Sequence, residues 1–379
     1  MFRPQIQKTS TLFFIALFNI FMVYMAVNST TRIEQSGIED RIAATKKMHS
    51  VLQSMKNEFS NKQSNDIYNS GILGIEISSI TSLSDEGTSM LSSKQTTTHP
   101  HFAGLVAALF QEAELSRGDT IAVSMTGSFP GANIALHSAC MVMDITPVIM
   151  TSVSSSSWGA NIENFSWPVM ETYLFNNKLI TSKSVAYSIG GKDDVGGQID
   201  SVGIDMIVSI AHDATDDGII FINEPTLNEN IAKKINLFQN ISNDYSAYVN
   251  IGGGAASMGK GIFKDTVKAG LITPLDAEYM DLYGFKESIG YQFIKPEKGY
   301  NQLPIINIKN IKSLTKNLFQ PDGTIEMYEG PLFYKYYRYN PFVILLCLFL
   351  TLSLIIAVGL YSHLQIKRRM ESNEIDSVI

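Results

Sequence analysis

Three short stretches of this sequence hold hydroxyls, an amide and glycines at spacings suited to gripping or attacking a ligand. Thr126-Gly127-Ser128-Phe129-Pro130-Gly131 lies between an apolar run and an apolar helical pattern. Ser154-Ser155-Ser156-Ser157-Trp158-Gly159-Ala160-Asn161 follows a second apolar run, and Gly252-Gly253-Gly254 follows a third. From the first stretch the candidate ligand contacts are Gly127, Ser128 and Phe129. The second offers Ser157, Trp158 and Asn161, and the third Gly252, Gly253 and Gly254. Ser128 occupies a sharp strand-to-helix turn, as a nucleophile elbow does. The pattern differs from G-x-S-x-G, because Gly127 directly precedes the serine and only Gly131 follows as a second glycine. A serine nucleophile needs a base. His137 stands on the helix that opens at this loop and points away by about one and a half turns. His212, beside Asp213, is the better partner, but no spacing ties it to Ser128.

Other motifs are incomplete. Gly254 to Gly261 is close to a phosphate-binding loop, but Gly261 stands where a magnesium-holding hydroxyl is required. Consecutive glycines still leave backbone N–H groups able to hold an anion or carboxylate. Asp193-Asp194 and Asp213, Asp216, Asp217 lack the ligand spacing of a calcium loop and read as solvated charge. No metal site and no cofactor are expected. Trp158 and Trp167, the two tryptophans of the chain, bracket the serine loop.

The elements that must position these loops alternate between strand and helix. Thr120 to Met125 and Pro147 to Val153 read as buried strands joined by a helix over Ala132 to Met143, a βαβ unit that implies parallel pairing. Loops at the carboxyl ends of such strands line the usual ligand crevice. Helices are expected over residues 102–113, 165–175, 201–214 and 227–238, and a further one from about Phe263. Strands are expected over 72–80, 219–222, 246–251 and 303–308. Ser82 to Thr98 is Ser/Thr-rich and reads as a loop. Pro321-Asp322-Gly323 is a turn signal. The fold class that follows is α/β, a Rossmann-like, mostly parallel sheet with at least four strands.

Two apolar runs flank that domain. Thr11 to Val27 carries no charge and lacks a small-x-small cleavage site after it, so it reads as an uncleaved anchor. Pro341 to Tyr361 is longer, preceded by the aromatic belt Phe333, Tyr334, Tyr336, Tyr337 and Tyr339 and followed by Lys367, Arg368 and Arg369. About 20 apolar residues span a hydrocarbon core. The basic cluster places the C-terminal tail in the cytoplasm, and two crossings return the N-terminus there. The expected organisation is a cytoplasmic N-terminus (1–10), a transmembrane helix (11–27), a juxtamembrane helical stalk (28–65) with a helix packed on the domain as the equal alternative for Thr31 to Gln63, an extracytoplasmic α/β domain (66–338), a second transmembrane helix (341–361) and a cytoplasmic tail (362–379). The expected location is a bacterial inner membrane, with the lipid bilayer as partner. A net charge of -7 without a basic stripe argues against nucleic acid. Of the two cysteines, Cys347 lies in an anchor, which leaves Cys140 alone in the domain.

GDTIAVSMTGSFPGANIALHSAC, PVIMTSVSSSSWGANIENFSWPVMETYLF and NIGGGAASMG together resemble the poly-gamma-glutamate system protein family. The likeness covers roughly residues 30–320 and includes the threonine-rich turn from Gln95 to Pro100. Thr126 stands where the family pattern has serine. The resemblance implies an association with synthesis or export of the capsule polymer poly-gamma-glutamate, together with other membrane subunits, and it implies no reaction. Three functions follow. A non-catalytic membrane subunit that binds polymer or organises partners is favoured, since no catalytic constellation is complete. An extracytoplasmic γ-glutamyl hydrolase or transferase would use a loop serine, Ser128 or Ser157. A sensor would bind a small carboxylate.

Overall fold

The structure is a computed structural model that describes residues 9–59, 71–82, 89–214, 218–259, 267–278, 285–295, 302–316, 318, 328–337 and 339–376. In chain order the first elements are α1 (Thr9–Val27), β1 (Thr31–Glu34), α2 (Ile38–Glu58), α3 (Ser89–Thr97), α4 (His101–Glu112), β2 (Thr120–Thr126), α5 (Pro130–Met143) and β3 (Thr146–Ser152). Then come β4 (Asn161–Ile162), β5 (Phe165–Ser166), α6 (Trp167–Asn176), β6 (Ser184–Ser188), α7 (Ser201–Ala214), β7 (Ile220–Ile222), α8 (Leu227–Ile241) and β8 (Ala247–Ile251). The last are α9 (Ala255–Met258), β9 (Gly270–Ile272), α10 (Pro274–Glu278), α11 (Ile289–Ile294), β10 (Ile305–Ile308), α12 (Ile311–Thr315), β11 (Tyr334–Tyr337) and α13 (Pro341–Asp376).

The chain forms two compact units. Gln35–Phe333 is an α/β unit around a seven-stranded sheet in the order β7-β6-β3-β2-β8-β10-β9. Every pair is parallel except β10 with β9. β2 pairs with β3 along its whole length and with β8 on its other side. Its residues Ile121, Ala122 and Val123 are buried on both faces, which is why the strand reads as a continuous apolar run instead of an alternating one. On one face Ala122, Met150, Ala186 and Tyr248 pack against Leu227, Ile231 and Phe238 of α8 and Met258 of α9. On the other, Tyr187, Val153 and Ile189 pack against Ile207, Ile210 and Ala211 of α7. Thr226 caps the start of α8: its hydroxyl accepts from the Glu229 N–H at 3.3 Å and donates to the Glu229 carboxylate at 2.7 Å.

The second unit comprises the two ends, Met1–Glu34 and Tyr334–Ile379. β1 pairs antiparallel with β11, Thr31 opposite Tyr337 and Glu34 opposite Tyr334. α1 packs along α13. Both helices are long and apolar enough to cross a membrane, by length and composition.

Several expectations change. The stretch taken as a juxtamembrane stalk is a short strand followed by a core helix: α2 packs on α4 and α5 and buries Ala44, Met48, Val51, Leu52 and Met55. Its apolar stripe serves that packing. The domain therefore begins at Gln35, and Thr31–Glu34 belongs with the chain ends. Residues 72–80 form no strand; only Thr81 makes an isolated bridge to Ser155. Part of the Ser/Thr-rich loop is α3, and β6 and β9 went unread. Both strands are short, three to five residues, with little periodic signal. The helix expected near Phe263 and the turn at Pro321-Asp322-Gly323 lie outside the described residues.

If α2 is core and not stalk, Met48→Ala should lower the unfolding free energy of the detergent-solubilised chain by about 2–5 kcal/mol, the cost of truncating a buried methionine. The exposed neighbour Asn57→Ala should stay within about 0.5 kcal/mol. Denaturant midpoints with unchanged slope give both numbers.

Candidate functional site

From β2 the chain moves outward through β3, β6 and β7, then returns to β8 on the other flank of β2. The sheet therefore reverses order between β2 and β8, and such a switch point opens a crevice at the carboxyl ends of the strands. The three loops named from sequence leave β2, β3 and β8 at that edge.

Hydrogen bonds lace the first two loops together. The Ala160 N–H donates to the Gly127 carbonyl at 2.8 Å, and the Ser155 hydroxyl reaches the same carbonyl at 3.1 Å. The Ser156 N–H donates to Ser128 Oγ at 3.0 Å. Thr126 joins the third loop to them. Its hydroxyl accepts from the Ser128 N–H at 3.2 Å, and a Cβ on Gly252 would stand 2.5 Å from that same oxygen. Gly252 also has a left-handed φ of 99°, so a side chain here is excluded twice. Ser128, Ser157, Trp158, Gly253 and Gly254 are half-buried, while Gly127, Phe129 and Gly252 form the floor. Among the described residues, the N–H groups of Ser157, Gly253 and Gly254 make no intramolecular hydrogen bond.

Lys94 escaped the sequence reading. It projects from α3 and is 0% exposed. Its Nζ donates to the Ser128 carbonyl and to Ser156 Oγ, the latter at 2.8 Å, and lies 3.7 Å from the centre of the Phe129 ring. α3 sits hard on the start of α5: a Cβ on Gly131 would meet the Thr97 carbonyl oxygen at 2.5 Å. The missed signal is a single lysine in a stretch of small polar residues, Ser92-Ser93-Lys94-Gln95-Thr96-Thr97.

Trp158 has φ 63°, a conformation that a bulky residue adopts at a cost. Its N–H donates to the Ile75 carbonyl at 2.8 Å, which fixes the strained turn. Asn161 is turned away from the crevice. Its amide accepts from the Ile75 N–H and donates to the Ile75 carbonyl and Thr81 hydroxyl, and it is fully buried. It clamps residues 72–81 in place of the strand expected there. Trp167 is a core residue stacked on His137. His212 lies exposed on the last turn of α7, against Phe221. A crossover helix runs antiparallel to the strands it joins, so this turn belongs to the amino edge of the sheet, opposite Ser128. Lys260 is outside the described residues.

Two further polar centres are buried. Asp194, expected as solvated charge, is 4% exposed and pairs with Lys234 at 2.6 Å; the hydroxyls of Ser152 and Ser188 surround the pair. Inside the sheet face, Glu171 accepts from Tyr187 at 2.5 Å and Ser184 at 2.9 Å, with His137 Nε2 at 4.0 Å. Burial pushes the Glu171 carboxyl up from its ordinary range, and the hydrogen bonds from Tyr187 and Ser184 oppose that shift. Burial also holds His137 down at about 4. Among the described residues no cluster of His, Cys, Asp or Glu could hold a metal ion.

Comparison with protein-family models, with curated proteins and with solved structures gives no match to this chain.

The histidine shift has a pH consequence. Between about 4 and the ordinary 6.5, an unfolded His137 binds a proton that the folded chain refuses, so its contribution to stability is lost as pH falls through that window. Glu171, shifted upward, works in the opposite direction above the ordinary carboxylate range. The urea midpoint should therefore fall less between about pH 7 and about pH 5 in His137→Gln than in the parent chain, each variant compared with its own neutral value.

Proposed function

We propose that this chain is a two-pass protein of a bacterial cytoplasmic membrane, with Gln35–Phe333 outside the cytoplasm, and that its switch-point crevice binds poly-gamma-glutamate as part of a system that makes or exports that polymer. The observation that carries the reading is the charge of the crevice. The loops Thr126–Gly131, Ser154–Asn161 and Gly252–Met258 contain no Asp or Glu in a chain whose net charge is -7. The first two loops meet at the buried Lys94, the third lies against Thr126, and among the described residues the N–H groups of Ser157, Gly253 and Gly254 have no intramolecular partner. Backbone N–H groups on loops that carry no acidic residue match a carboxylate. The loop strings that resemble the poly-gamma-glutamate system family are these same loops.

Each net hydrogen bond adds about 0.5–1.5 kcal/mol, so one glutamyl unit binds weakly. A polymer gains by engaging neighbouring units and neighbouring copies. The topology is supported by the two apolar helices and by Lys367, Arg368 and Arg369 beyond the second.

Both parts can be measured. A reporter active only outside the cytoplasm should be active when fused after Asp322 and silent after Ile379; activity only after Ile379 inverts the topology, and silence at both positions places the domain in the cytoplasm. Titration of the solubilised full chain with poly-gamma-glutamate should give salt-sensitive binding that a neutral polymer of equal length does not. Trp158→Gly relieves a left-handed strain of about 1–2 kcal/mol and should stay folded while losing at least about tenfold in affinity. Equal binding of neutral and anionic polymers removes the carboxylate reading.

A further inference from the structure

We propose that the crevice cleaves what it binds, with Ser156 as the nucleophile and Lys94 as its general base, acting on the amide bond of a γ-glutamyl chain. This inference rests on the reading of the crevice as the polymer site. A serine hydrolase needs a hydroxyl, a base against it, a donor for the oxyanion and a place for substrate. Neither histidine weighed from the sequence supplies the base: His137 is buried beside Glu171 and His212 stands at the other edge of the sheet. Lysine withdrawn from water is the alternative used in Ser–Lys pairs. Lys94 Nζ lies 2.8 Å from Ser156 Oγ, within the reach required for proton transfer. The amine is sealed behind the hydroxyl, Lys94 having no exposure and Ser156 retaining 8%. The Ser128 carbonyl and the Phe129 ring fix the direction of Nζ.

The remaining parts are adjacent. The N–H of Ser157, the residue after the nucleophile, makes no intramolecular hydrogen bond among the described residues. In nucleophile elbows that position supplies an oxyanion donor. Ser128 Oγ accepts from the Ser156 N–H, so its own proton is free to meet substrate at the mouth.

The chemistry balances without a cofactor. Ser156 Oγ bonds to the amide carbonyl carbon as its proton passes to Lys94 Nζ, and the carbonyl pair moves onto oxygen. That pair returns, the C–N bond breaks, and Lys94 gives its proton to the leaving amine. The acyl-serine ester then accepts water, whose proton travels by the same amine, and Ser156 leaves with its hydroxyl restored. A second amine in place of water gives transfer.

The test uses the full chain in nanodiscs with poly-gamma-glutamate. Chain length is followed by size-exclusion chromatography, new amino groups by an amine reagent, and binding by titration on the same samples. Wild type should shorten the polymer, releasing one amine per cut, with a rate that rises with pH as a base is required. Ser156→Ala and Lys94→Arg should each reduce cleavage by at least about 100-fold, the scale of general-base catalysis, while Ser156→Ala keeps binding within about threefold. Lys94→Arg keeps hydrogen-bond donors that can bridge the loops but supplies no base, so a merely structural lysine would be rescued by it. If wild type binds polymer and releases no amines, cleavage is overturned and the binding site stands. If it does not bind, the polymer reading itself falls. Cleavage that persists in Ser156→Ala, or in a folded Lys94→Arg, overturns the assignment of these residues.

Discussion

A lysine amine with no access to water must be solvated by the protein, and few lysines are fully buried without such a partner. At Lys94 that requirement is met by the Ser128 carbonyl, the Ser156 hydroxyl and the face of Phe129. These groups come from the loops after β2 and β3, so one side chain on α3 bridges both, beside the direct hydrogen bonds between them. α3 in turn is held by the contact of Thr97 with Gly131, where the first turn of α5 offers no Cβ to interfere. Burying one amine at the carboxyl edge of the central strand thus ties these two loops to α3.

The same edge manages other polar groups in the same manner. Asp194 and Lys234 neutralise one another beneath the ends of β3 and β6, with Ser152 and Ser188 satisfying the remaining valences. Below β8, Tyr248, Ser257 and Asn250 form a chain of short hydrogen bonds, with Asn307 beyond, that holds the segment after the triple glycine. Burial pushes the Tyr248 phenol up, so it remains a hydroxyl donor. Removing one partner of a buried ionic or polar pair leaves the other uncompensated, which is why such networks fix one arrangement of loops rather than several. A site with small residues and few side chains of its own needs that rigid support.

The crevice carries no acid on its three loops, and the chain as a whole is acidic. On the proposed reading, that separation suits an anionic ligand at this place. Trp158, half-buried at the rim in a left-handed conformation, offers such a ligand an apolar ring.

The local sequence by itself determined the βαβ unit from Thr120 to Ser152, the helices over α4, α7 and α8 and the two apolar end helices, because periodicity and uninterrupted apolar runs act within one element. It also picked out the three glycine and serine loops, whose turn chemistry is local. It misjudged α3, the strand expected at 72–80, the stalk and Asp194. In each of these the outcome depends on a distant partner: α5 for α3, the Asn161 amide for the 72–80 segment, α4 and α5 for α2, and Lys234 for Asp194. The pairing of Lys94 with Ser156, 62 residues apart, has no trace in spacing or composition. Only the folded chain decides such a contact, because hydrogen-bond reach is a property of positions in space, and the sequence carries those positions solely through the packing of the whole sheet and its helices.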